Sequence, residues 1–296
     1  MATKPTPKAT VIQFRTRDRV ADEEELPVGL PPSSLAELAP APTASAVDLT
    51  DKPKIWFVIG PGRSGKTMLT RYAAEMCITR GAAPIMVAAD PQNRSLKNYM
   101  DVHEPPTNDA AATSRWLESL LRHTMEEKAS AMVDLGGGDT ALHKLLAAIP
   151  TLATDLDEAG VAPVAIYTLG PRVDDLASLG SFEAMGFQPA ATAIICNEGL
   201  ADLTVDREDA FARVLRHSAY RKAVDRGATS VWMPALTPAE LVQEIEAKRL
   251  SFVQARDAIS PSSRKVAPLA PFDRSRVRKW LDSMAVELAP IASWLP

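Results

Sequence analysis

Ile55-Trp56-Phe57-Val58-Ile59-Gly60-Pro61-Gly62-Arg63-Ser64-Gly65-Lys66-Thr67 decides the fold. Five apolar residues run into a glycine-rich turn that closes on Lys-Thr. The pattern is G-x-x-x-x-G-K-[ST], with Gly60 and Gly65 at its ends. Gly60, Gly62 and Gly65 let backbone N–H groups turn inward around phosphate oxygens, where a Cβ would intrude. A helix expected over residues 66–80 points its N-terminus at the same anion. In that arrangement Lys66 reaches the β- and γ-phosphates and the Thr67 hydroxyl ligates Mg²⁺, with Ser64 and Met68 completing the loop's contacts. A chance glycine loop would need neither a strand before it nor a helix after it, and the sequence supplies both.

Working outward, the pattern from Ile55 alternates strand and helix. Strands are expected at residues 55–59, 84–89, 129–133, 163–169, 190–196 and 229–233. Helices are expected at 66–80, 108–126, 139–148 with a second piece to 158, 173–185 and 206–226. A further helix opens at Thr237-Pro238-Ala239-Glu240, with Thr237 as N-cap and Pro238 at N1. Apolar strands flanked by helices imply a three-layer α/β fold, a doubly wound and mostly parallel sheet of the P-loop NTPase kind.

The ends differ in composition. Residues 1–52 are rich in Pro, Ala, Ser and Thr and read as a tail that buries too little to order itself. Lys4, Lys8, Arg15, Arg17 and Arg19 precede Asp22, Glu23, Glu24 and Glu25 there, as a solvated charge run or as a contact to a nucleic acid or a partner. Residues 53–258 form the P-loop domain. Residues 259–296 form an extension whose helix, 273–288, sets Arg274, Arg276, Arg278 and Lys279 beside Val277, Trp280, Leu281, Met284 and Leu288. Such a basic amphipathic helix packs back on its domain, or meets a membrane surface or a partner protein.

With 296 residues and a net charge of −4, the chain has no global basic character that argues for nucleic acid. Cys77 and Cys196 read as buried free thiols. No apolar run approaches a membrane span, and the segment after Met1 lacks the apolar core of a signal peptide, so a cytoplasmic protein is expected. None of His103, His123, His143 or His217 has metal-ligand spacing with a second ligand.

Ligands of open α/β sheets sit at the carboxyl ends of the strands, so the residues leaving each strand carry the chemistry. Asp134 ends the third strand before Gly136, Gly137 and Gly138, where a magnesium-associated carboxylate belongs. A capped turn before Asp139 is the alternative. Asp90 leaves the second strand before Pro91, where it orients an attacking water or binds magnesium through water, or else forms an Asp-Pro turn.

GPGRSGKT, then ADPQNRSL, VDLGGG and IICN in that order, is similar to the ParA/MinD family of ATPases, the class with a deviant Walker A loop. The resemblance covers about residues 54–248, and Asp90-Pro91-Gln92 is its most specific element. It implies ATP with Mg²⁺, slow hydrolysis, a homodimer formed across the nucleotide, and reversible loading onto DNA or a membrane. Plasmid partition, positioning or conjugal transfer is the implied setting. By position it makes Asp90 the water-activating carboxylate and Asp134 the Walker B acid. It makes Asn197 a contact to the adenine base, with Pro234-Ala235-Leu236 packed near that base. Pro61 stands where the family has a lysine that reaches the partner subunit's phosphate, Arg63 where it has a second glycine, and Ala88 where it has an acid. Arg63 is either a cation near the γ-phosphate, as an arginine finger is, or a surface arginine. Arg213, Arg216, Arg221 and Lys222 offer a nonspecific DNA surface, or a solvated helix face. Two other readings remain open: a P-loop small-molecule kinase or ATP-dependent synthetase, with residues 93–108 as a lid, and a nucleotide-binding interaction module that scarcely hydrolyses.

Overall fold

Lys54–Ile59 forms β1, and all six of its residues are buried. Such burial requires cover on both faces, and the alternation of the strand shows where each face goes. Trp56 and Val58 join one core cluster, while Ile55, Phe57 and Ile59 join another. The computed structural model describes residues 45, 47–90, 95–136, 140–261 and 265–296.

Five more strands complete the sheet: β2 (Ile85–Ala88), β3 (Ala131–Asp134), β4 (Ala162–Leu169), β5 (Ala191–Asn197) and β6 (Thr229–Met233). Their order is β2-β3-β1-β4-β5-β6, and each neighbouring pair is parallel. The order places β3 on one side of β1 and β4 on the other. The connection from β3 to β4 therefore crosses over β1 and opens a crevice at its carboxyl end. The fold is α/β, a doubly wound parallel sheet between two layers of helices, as the sequence implies.

Helices cover both faces. On one lie α1 (Lys66–Thr79), α9 (Ala239–Ala247), α10 (Phe252–Asp257) and α11 (Pro271–Glu287). On the other lie α2 (Ala110–Glu127), α3 (Thr140–Ala148), α4 (Leu152–Glu158), α5 (Ala177–Ala184), α6 (Arg207–Ala210), α7 (Ala212–Leu215) and α8 (Ser218–Asp225). The expected helix at 173–185 opens with a 3-10 turn, Val173–Leu176, before α5.

Two expectations are corrected. The charged segment 206–226 is three short helices. Phe211 leaves helical geometry at φ −95° and ψ 3°, and its ring is fully buried against Trp232. His217 is extended and its Nδ1 accepts from Ala219 N, capping α8. The helix after β6 has Pro238, not Thr237, at its N-cap, with its first turn beginning at Ala239.

Most of the expected tail, residues 1–44 and 46, lies outside the described residues. Its described part is tied down: Leu49 is buried, and Leu49 N donates to Ser293 Oγ at 3.4 Å. The helix of the C-terminal segment, α11, does pack back on the domain. Val277, Trp280, Leu281 and Met284 are buried in the cluster that covers α1, so its apolar face is not open to a membrane surface. Among the described residues no helix is long and apolar enough to cross a membrane.

Candidate functional site

The loop between β1 and α1 is fixed from behind by β4 and β5. Thr168, on β4, sets its Oγ1 2.5 Å from Ser64 Oγ. A Cβ at Gly60 would lie 2.5 Å from Thr168 O, so only glycine lets the loop leave the sheet here. Asn197, on β5, donates its side-chain amide to Ser64 O at 2.9 Å and accepts from Gly199 N at 2.9 Å. Gly65 has φ +96°, and a Cβ there would collide with the Asn197 amide and lie 2.6 Å from Met233 Cε. The first and last glycines of the motif are thus demanded by their neighbours in the fold itself. Gly62 meets nothing within 4 Å and faces open space. No side chain caps α1, which leaves its first-turn N–H groups available to an anion.

In front of the loop lies a cleft of about 1610 Å³. Gly62, Arg63, Gly65, Lys66, Thr67, Met68, Asp90, Asp134, Asn197 and Pro234 line it, so the structure gathers these sequence-chosen residues in one place. Gly60 and Ser64 sit behind them, buried. Ser64 turns its hydroxyl to Thr168, so its side chain serves the loop's shape. Asn197 lines the cleft too, but both ends of its amide already hold backbone, one of them the loop itself. Residues 91–94 and 137–139 lie outside the described residues, and with them Pro91, Gln92, Gly137 and Gly138.

Lys66 curls back, and its Nζ donates to Gly60 O and Pro61 O at 2.9 Å each. Burial lowers its pKa, while the nearby Asp134 and Asp90 carboxylates pull it up again. Asp134 is 3% exposed; its Oδ2 accepts from Thr67 Oγ1 at 3.2 Å, and its Oδ1 is buried with no partner. Burial pushes the Asp134 carboxyl up to about 6 against the pull of Lys66 and of the Thr67 hydroxyl, and the Asp90 charge adds to the rise. Asp90 packs on the Gly136 backbone, where a Cβ would come within 3.3 Å of its carboxyl carbon.

A buried, half-satisfied carboxylate beside a threonine hydroxyl and a second acid is a donor set that suits Mg²⁺, a cation that takes one or two carboxylates and shares the rest of its shell with phosphate and water. Among the described residues no cluster of three or more His, Cys, Asp or Glu could hold a metal unaided. The set therefore fits a metal that arrives with a phosphate ligand.

Arg63 is exposed and has φ +65°. A non-glycine residue in this region costs roughly 1–2 kcal/mol. Pro61 has no side chain that could reach across to a neighbouring subunit's phosphate.

Sequence reasoning missed Thr168 and Arg71. Thr168 is a buried polar residue near the end of an otherwise apolar strand, and that interruption was its only signal. Arg71 lines the far side of the cleft on α1. It is 3% exposed, stacks 3.4 Å over the Tyr99 ring and donates to Leu250 O at 2.9 Å. Nothing in the helical pattern distinguishes it from a surface arginine.

No protein-family model and no curated protein matches the chain. Among solved structures it is similar to the signal recognition particle receptor FtsY from Elizabethkingia anophelis in complex with GDP, at 15% identity and a TM-score of 0.37. That likeness covers 53% of this chain and 52% of the receptor, so the chain spans about half the receptor's length. It is also similar to a nucleotide-binding protein in complex with ADP from Archaeoglobus fulgidus, at 12% identity and a TM-score of 0.39, over 74% of this chain and 93% of that one.

Proposed function

We propose that the protein is a slowly hydrolysing ATPase of the ParA/MinD kind, a nucleotide-controlled switch. The observation that carries the reading is the convergence of Lys66, Thr67, Asp134 and Asp90 on one cleft at the carboxyl end of β1. ATP would lay its phosphates in the loop, with the first-turn N–H groups of α1 facing them. Lys66 would exchange its two loop carbonyls for phosphate oxygens, which relieves an ammonium now held by neutral groups. Thr67 and Asp134 would hold Mg²⁺, with Asp90 near it. The metal, when bound, neutralises charge on the phosphates. Asp90 accepts a hydrogen bond from the attacking water and orients it toward the γ-phosphate. Asn197 holds the loop in shape. The base would lie toward Gly199, Leu200 and Pro234, which line that end of the cleft. Arg63 would place its charge at the mouth near the γ-phosphate, the role that Pro61 cannot take. The segments after Asp90 and Gly136 would order around the γ-phosphate and relax after hydrolysis, which gives the switch its two states. Nonspecific DNA through Arg213, Arg216, Arg221 and Lys222, and a homodimer formed on ATP, complete the reading.

The test is ATP turnover with Mg²⁺, alone and with nonspecific duplex DNA, in the wild type and in Lys66→Ala and Asp90→Ala. Slow turnover that rises with DNA is expected. Lys66→Ala should lose nucleotide binding, and Asp90→Ala should bind but not turn over. Full ATP affinity and hydrolysis in Lys66→Ala would sink the reading.

One observation favours a second reading, transfer to a small acceptor. The cleft exceeds the roughly 300–1,000 Å³ common for one ligand. Its lining also includes Arg71, Tyr99, Gln243 and Glu246. Turnover stimulated by a metabolite and indifferent to DNA would favour it.

A further inference from the structure

Helix α11 stands outside the cleft, yet it reaches both loops at the cleft's base end. Trp280 Nε1 donates to Pro234 O at 2.9 Å. Pro234 is the first residue after β6 and lines the cleft. At the C-terminal end of the helix, Glu287 Oε1 accepts from Arg207 Nη1 at 2.6 Å. The same nitrogen donates to Glu198 Oε1 at 3.0 Å, and the guanidinium lies 4.8 Å over the Trp232 ring of β6. Glu198 follows Asn197 directly, and the next two residues, Gly199 and Leu200, line the cleft. One helix therefore holds the loop after β5 through a charged bridge and the loop after β6 through a single N–H.

The helix is a firm anchor for this purpose. Val277 and Met284 are fully buried on it. The Trp280 ring meets Tyr72 of α1 edge-on at 5.9 Å and Phe252 of α10 at 4.7 Å. Its two contacts lie seven residues apart, about two turns, so they fall on one side of the helix. The distance between the two loops is thereby referred to a rigid rod.

We propose that α11 is the positioning element of the base site. Trp280 and Glu287 set the separation of the two loops that close on the base, Trp280 directly through Pro234 and Glu287 through Arg207 and Glu198. They are positioning residues and touch no ligand themselves. The inference rests on the assignment of this end of the cleft to the base.

The experiment compares two probes on the full chain with Mg²⁺: ATP, and inorganic tripolyphosphate, which carries the phosphates without the base. Dissociation constants are measured by calorimetry for the wild type, Trp280→Phe, Glu287→Ala and Glu287→Gln. Both probes read the same folded fraction, so their ratio is insensitive to a change in stability. The wild type should prefer ATP. Glu287→Ala should weaken ATP roughly tenfold, the loss of one charge-assisted contact, and leave tripolyphosphate within about twofold. Glu287→Gln keeps an acceptor for Arg207 and should fall between. Trp280→Phe keeps the ring, removes the N–H and should weaken ATP selectively. Equal loss for both probes would assign α11 a merely structural role and overturn the proposal, as would no loss for either. A wild type that binds both probes equally overturns the base assignment and the inference with it. A wild type that binds neither overturns the proposed function itself.

Discussion

Asp134 shows how far burial can work against one charge in the fold. Its carboxyl ordinarily titrates at 3.8 and is pushed up to about 6 by burial. At a pH well below 3.8 it is neutral in the folded and unfolded chains alike. Between the two values the folded protein keeps a proton that the unfolded chain has released, so stability falls as pH rises through that window. Above it the protein carries the whole cost, on the order of 2–3 kcal/mol. Asp134→Asn removes the ionisation and keeps an oxygen for the Thr67 hydroxyl. The variant should melt above the wild type at pH 8, converge with it as the pH falls well below 3.8, and lose turnover throughout; thermal melts across pH check this. The sequence made Asp134 legible because an acid at the end of an apolar strand is unusual. It also placed Asn197 at the site, but a strand-end asparagine looks alike whether it reads a base or holds a loop. In the fold its amide is bonded to Ser64 O and Gly199 N, which makes the loop-holding part visible.

Among the elements, the strands were legible because burial on both faces leaves unbroken apolar runs. Expected and observed limits differ by only a residue or two along the sheet. The segment 206–226 was not, because helical propensity is continuous across it and the interruptions come from tertiary packing. Phe211 breaks the pattern to fill a space beside Trp232, and His217 caps α8. The clamp by α11 was hidden for the same reason: it joins residues 46 and 80 apart in sequence. All four basic residues of the segment stay exposed: Arg213 on α7, Arg216 at its C-cap, and Arg221 and Lys222 at successive positions of α8. If this helix carries nonspecific DNA, Arg221→Ala with Lys222→Ala should lower affinity for any duplex sequence. It should also reduce the slope of log affinity against log salt by about two. An unchanged slope in a fluorescence titration would remove α8 from the surface.

At the scale of the molecule, residues 42–296 behave as one unit that includes the C-terminal segment. Trp56 Nε1 donates to Trp294 O at 2.6 Å, and Trp294 Nε1 donates to Val47 O at 2.9 Å. Trp294 is fully buried. Trp294→Ala should therefore cost about 3–5 kcal/mol. The loss should appear in a denaturant titration as a single cooperative shift and not as a separate early transition of the C-terminal segment.

The bond from Trp56 to Trp294 spans 238 residues, and β1 also waits for both of its sheet neighbours. During synthesis the strand that carries the glycine loop leaves the ribosome before the other five. It finds β3 only after some seventy residues more, and β4 about a hundred residues after itself. The carbonyl that receives Trp56 arrives later than either. Closing such distant pairs delays folding and leaves an apolar strand uncovered in the nascent chain. A ribosome that stalls before β4 would therefore expose Ile55–Ile59 as a sticky segment, and no ligand of the glycine loop could rescue it, because the loop has no frame until the sheet is made.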